Sequence, residues 1–95
     1  MSEFESAAAA IKKSADRNIK MSDDELLLVY GLYKQGTVGD NNTNKPGMLD
    51  FKGKAKWEAW GKVKGKSQAD AQNEYRELAK TLLNKYGCGD LIVGF

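Results

Sequence analysis

Histidine is absent from all 95 residues, which removes the commonest general base, metal ligand and physiological pH switch at once. Cysteine occurs once, as Cys88. No intramolecular disulfide, zinc set or Ser-His-Asp or Cys-His triad can be assembled, so no metal is expected and a reducing, cytoplasmic compartment is. Cys88 itself reads as an incidental tail thiol. Charge of one sign is scarce too: 15 Lys+Arg against 13 Asp+Glu leave a net charge of +2. A nucleic-acid binder concentrates a much larger basic excess, so no nucleic-acid partner is expected, and any anion held here is small and locally recognised. No stretch approaches the roughly 20 apolar residues that span a bilayer. Neither stable membrane insertion nor the basic-then-apolar pattern of a secretory signal is expected.

What is present reads as four helices in one domain, since a chain of 95 residues cannot divide its core into two stable ones. The domain covers residues 1–95, with a core over about 3–87 and a tail from 88 to 95. Ser2 with Glu5 and Ser22 with Glu25 are capping-box patterns that open the first two helices. The first ends near Lys13 to Ala15; the second runs from about Asp23 through Lys34 until Gly36 and Thr37 loosen it. From Gly36 to Asp50 the density of Gly, Asn and Asp around Pro46 predicts a long structured loop. Val38, Met48 and Leu49 are available to pack it. Asp50 caps a third helix that carries Trp57, Trp60 and Val63 and stops at Gly65; Ser67 caps a fourth that runs to Gly87 as its terminating glycine. Strands have no convincing place, and the fold class is all-α.

The second helix carries the first sign of a ligand. At about 100° per residue, Leu28, Val29 and Leu32 share one side. Leu26, Leu27, Tyr30, Tyr33 and Lys34 fall within an arc of about 120° on the other. A stripe of aliphatic, aromatic and cationic groups suits an amphiphilic ligand. It equally suits a central helix, buried all round, whose phenols and ammonium reach water at the edges. On the third helix Lys52 and Lys56 lie at i and i+4, a repulsive spacing that an approaching phosphate relieves. A solvated lysine face beside buried tryptophans is the competing account, and Trp57, Trp60 and Tyr75 read as core anchors.

The segment Tyr30-Gly31-Leu32-Tyr33-Lys34-Gln35-Gly36-Thr37-Val38-Gly39-Asp40 resembles the YxxYKQATVGD signature of the acyl-CoA-binding protein family, with Gly36 in the place of the alanine. The run from Asn42-Thr43 through Pro46-Gly47, Asp50-Phe51, Gly53-Lys54 and Lys56-Trp57 to Ala59-Trp60 is similar to a second block of that family. The likeness extends from about Phe4 to Gly87. It implies a four-helix bundle of up-down-down-up topology, with the long loop between helices 2 and 3. It also implies a monomer that carries and buffers long-chain fatty acyl-CoA, with no further cofactor. By position, it assigns Tyr30, Lys34 and Lys56 to the 3′-phosphate of coenzyme A and Tyr33 to the adenine. Tyr75 is a further contact from helix 4; Lys12 and Lys52 match the head-group region, and Ala8, Leu26 and Leu27 the acyl surface. The stretch from Lys13 to Met21 is about three residues longer than the family's usual first connection.

An anchoring phosphate gains roughly 1.5 to 3 kcal/mol per charge-assisted hydrogen bond. Each methylene buried contributes about 0.8 kcal/mol, so long esters are expected to outcompete short ones. Two other classes remain open. An apolar tail from Leu91 to Phe95 suits a regulatory module that docks on a protein or membrane partner, or else packs back on the bundle. An acyl-CoA isomerase or thioesterase lacks a nucleophile and base pair here, so no catalytic residue is expected and the chain is not an enzyme.

Overall fold

The computed structural model describes residues 2–95. Among them are four α-helices, α1 (Glu3–Ala15), α2 (Asp23–Thr37), α3 (Phe51–Gly61) and α4 (Gln68–Lys85), followed by a 3₁₀ turn (Gly89–Leu91). The described residues form no strand. The helices start where the sequence places their caps: the side chains of Ser2, Ser22, Asp50 and Ser67 each accept the backbone N–H three residues on. At Ser22 the box is complete, because the Glu25 carboxylate also accepts the Ser22 N–H at 2.8 Å.

α2 lies at the centre, packed against α4 on one side and α3 on another, and α1 packs against α4. The main core cluster joins Phe4 and Ala7 of α1, Leu32 of α2, and Ala71, Tyr75 and Ala79 of α4. α2 is nevertheless not buried all round: Leu26 is 49% exposed, Leu28 56% and Tyr33 41%. That leaves apolar surface on the helix that the fold itself does not cover.

Three boundaries differ from the sequence reading. α2 does not loosen at Gly36 but continues to Thr37. Its last turn is held from outside: Gly36 is buried and its carbonyl accepts the Gln72 amide at 2.9 Å. The Thr37 hydroxyl donates to the Tyr33 carbonyl at 2.8 Å. A Cβ at Gly36 would stand 3.1 Å from Gln72 and 3.2 Å from the Phe4 ring, so glycine gives the tighter approach of α1 and α4. α3 stops at Gly61 rather than Gly65, and Val63 lies in the turns that follow, where N–H groups reach back three residues instead of four.

The tail is the third correction. α4 ends in a Schellman motif in which the Gly87 N–H, at φ +73, bonds the Asn84 carbonyl and the Cys88 N–H bonds that of Leu83 at 2.7 Å. The motif folds Cys88 inward, and the thiol is no incidental tail group: it is 2% exposed, in a second cluster with Ala10 and Leu83. Leu91, Ile92 and Phe95 pack against that cluster. Of the apolar tail residues only Val93 is largely exposed, at 71%. The free apolar end that a tail-docking module requires is therefore missing.

Glu25 ties the start of α2 to the end of α4. Besides capping, its carboxylate accepts from the Lys85 ammonium at 2.6 Å and from the Tyr86 hydroxyl. Bonds from Lys85, Tyr86 and the Ser22 N–H, in that order, hold its pKa down at about 2, against an ordinary 4.5. A depressed carboxylate stabilises the fold above its unfolded pKa and loses that contribution as pH falls through the folded value. The stability gap between wild type and Glu25→Gln, measured by urea midpoints, should therefore be full at neutral pH. It should close as pH falls from 4.5 toward 2.

Candidate functional site

The loop from 38 to 50 is fastened to α3 by both tryptophans. The Trp60 indole N–H donates to the Gly39 carbonyl at 2.7 Å, and that of Trp57 to the Thr43 carbonyl at 3.0 Å. The Asn41 amide returns a bond to the Trp57 carbonyl at 3.1 Å. Gln35, 1% exposed, joins the base of this loop to the turn after α3. Its amide donates to Asp40 at 2.8 Å and to the Lys66 carbonyl at 2.7 Å, while the Gly65 N–H donates to the same Asp40 oxygen at 2.9 Å. The bonds from Gly65 and Gln35 lower the Asp40 pKa, so the latch stays charged and intact at neutral pH. α3 is thus set against α2 by a network that the loop supplies.

Between α2 and α3 this leaves a cavity of about 320 Å³, lined by Asp23, Leu26 and Leu27 from α2 and Phe51, Lys52, Ala55 and Lys56 from α3. Apolar walls from Leu26, Leu27, Phe51 and Ala55, with the exposed Lys52 and Lys56 outnumbering the one acid, Asp23, match an amphiphile that is apolar along its length and anionic at one end. Phe51 is 73% exposed at the mouth. The Lys56 ammonium lies 5.5 Å from the centroid of the Tyr30 ring, and that of Lys34 lies 4.9 Å from the Trp60 ring. These cation–π contacts orient both cations without neutralising them. No carboxylate pairs with Lys34, Lys52 or Lys56 among the described residues, leaving three positive charges available to an anion.

Tyr33 heads a separate aromatic group. Its ring centroid is 6.0 Å from Tyr75 and 5.7 Å from Phe4, and Phe4 meets Tyr75 edge-on at 5.2 Å. Tyr75 is 3% exposed and its burial pushes the phenol pKa upward, keeping it neutral. Tyr33 packs against this core at a tilt and remains 41% exposed.

The structure therefore brings Leu26, Leu27, Lys52 and Lys56 together in one cavity, with Tyr30 beside Lys56, and sets Tyr33 on Tyr75. Ala8 packs half-buried against the main core cluster. Lys12, in the last turn of α1, is exposed and is not among the residues lining the cavity. Sequence reasoning overlooked Asp23, Phe51 and Ala55 as cavity walls, Phe4 as the third member of the aromatic group, and Gln35 as the latch. The i, i+4 spacing of Phe51 and Ala55, one residue ahead of Lys52 and Lys56, was the available signal for two of them.

Residues 1–79 match the family model described as acyl CoA binding protein. The chain is 54% identical over 84 residues to acyl-CoA-binding protein homolog 1 of Caenorhabditis elegans, covering 88% of this chain and 94% of that protein. The same identity and coverage hold for the acyl-CoA-binding protein homolog of Drosophila melanogaster. Among solved structures, ACBP from Moniliophthora perniciosa superposes with a TM-score of 0.81 at 41% identity, over 94% of this chain and 85% of that one.

Proposed function

Because the chain belongs to the acyl-CoA-binding protein family, we propose that it binds long-chain fatty acyl-CoA in the cleft between α2 and α3 and serves as a cytoplasmic carrier and buffer of these esters. The observation that carries this is the cavity itself: two aliphatic side chains of α2 face Ala55, with Lys52 and Lys56 in its lining. Tyr30, Lys34 and Lys56 receive the 3′-phosphate, and Tyr33 stacks on the adenine with its exposed part, beside Tyr75. Lys52 and Lys12 neutralise the remaining head-group charge. Leu26 and Leu27, with Ala8 nearer the core, form the acyl surface. The ester is held and released unchanged by a monomer, since the sequence carries no nucleophile and base pair to cleave it.

A calorimetric titration with hexadecanoyl-CoA tests the proposal. Saturation at one ester per chain is the expected result; no saturable heat at micromolar protein overturns it. Prolonged incubation of the mixture should leave the thioester intact.

A further inference from the structure

Leu26 has a second role. Beside its side chain lies another cavity, of about 410 Å³, walled by Ile11, Ser14 and Ala15 of α1 and by Ile19, Lys20 and Met21 of the connection to α2, with Lys20 the one charged residue in the lining. Leu26 lines both cavities and is 49% exposed, so it is the apolar side chain that the two share.

We propose that this second cavity receives the far end of long acyl chains, making the first connection a determinant of chain-length preference. The inference rests on the acyl-CoA reading above, which fixes the direction of the ligand. Its anion lies at Tyr30 and Lys56, and Leu26 is four residues toward the start of α2, about 6 Å along the helix axis. A tail that runs away from the phosphate along α2 passes Leu27, crosses Leu26 and meets Met21.

The cavity is a built feature. After α1 the chain makes two tight turns, the Arg17 and Asn18 N–H groups bonding the Ser14 and Ala15 carbonyls. Asn18 then takes the left-handed conformation at φ +59. That reversal returns Ile19 to pack on the Ala10, Leu83 and Cys88 cluster. The Arg17 guanidinium donates to the Asp90 carboxylate through both terminal nitrogens, Nη1 and Nη2, at 2.9 and 2.7 Å, fastening the connection to the tail. Ser14 supplies the space: it is 1% exposed, a small side chain where a larger one would fill the void. Its hydroxyl is spent on the Ile11 carbonyl at 2.6 Å, so the wall it presents is in effect apolar.

The test compares wild type with Ser14→Leu, which fills the cavity from below, and Met21→Trp, which fills it from the connection. Each is titrated calorimetrically with decanoyl-, dodecanoyl-, hexadecanoyl- and octadecanoyl-CoA. Affinity in the wild type should climb by up to about fourfold per added methylene through the series. In the filled variants the climb should stop early, cutting the preference for octadecanoyl-CoA over decanoyl-CoA at least tenfold while decanoyl-CoA binds as before. Circular dichroism identifies a variant that fails to fold, and the other then decides. If a folded variant keeps the wild-type preference, the second cavity holds no acyl chain. If the wild type binds none of the four esters, the functional reading itself fails, and this inference with it.

Discussion

Replacing Lys56 with alanine should weaken binding of hexadecanoyl-CoA by one to two orders of magnitude, the equivalent of about 1.5 to 3 kcal/mol for a lost charge-assisted hydrogen bond. Binding of the analogue that lacks the 3′-phosphate should change less than about threefold, the scale of an exposed charge in water. The asymmetry follows from placement. Lys56 is exposed and has no carboxylate partner among the described residues, so its removal costs the free protein little. Its ammonium is already held over the Tyr30 ring at 5.5 Å. Little side-chain entropy is then lost when the phosphate arrives. Solvent access favours the lower half of the range. Equal losses for the two ligands, measured by calorimetry, would show that Lys56 serves another part of the ligand.

A larger effect on stability is expected at a residue that touches no ligand. A Cβ at Gly31 would stand 2.7 Å from the carbonyl oxygen of Ala59 and 3.1 Å from its carbon. These are backbone atoms of α3 and cannot swing aside. Gly31→Val should therefore cost about 3 kcal/mol, the upper end of the overpacking range, in spite of valine's better helix propensity. Because the displaced helix carries Lys52, Ala55 and Lys56, affinity for acyl-CoA should fall as well. Gly61, with nothing near its Cβ position, supplies the control: Gly61→Ala should be neutral or stabilising by up to about 1 kcal/mol. Urea unfolding of both variants checks the contrast, and equal stabilities would mean that α2 and α3 are not in close contact at Gly31.

The parts of this molecule that were legible in the sequence are those set by local chemistry. A serine or aspartate that caps its own helix does so through atoms three residues away, so Ser2, Ser22, Asp50 and Ser67 declare the helix starts. Gly87 was legible as a terminator for the same reason, being the position at φ +73. Helix ends that depend on distant partners were not legible. Gly36 stays helical because Gln72 and Phe4, remote in sequence, close around it. Cys88 is buried because the Schellman turn aims it at Ala10 and Leu83.

The candidate site divides along the same line. Tyr30, Tyr33 and Lys34 on α2, and Lys52 and Lys56 on α3, are visible as stripes because helical periodicity is local. That α3 faces α2 with Lys56 over Tyr30 depends on the loop network of Gln35, Asp40, Trp57 and Trp60. No spacing rule predicts that network. Gln35 in particular looks like any polar helix residue until its amide is found buried between Asp40 and the Lys66 carbonyl.

The most direct test of the central claim is the hexadecanoyl-CoA titration repeated on isotope-labelled protein and followed amide by amide in NMR spectra. The account predicts saturable shifts concentrated on the facing sides of α2 and α3, from Leu26 to Lys34 and from Phe51 to Lys56. Shifts confined to the outer face of α4, or spread without saturation over the whole surface, would contradict it.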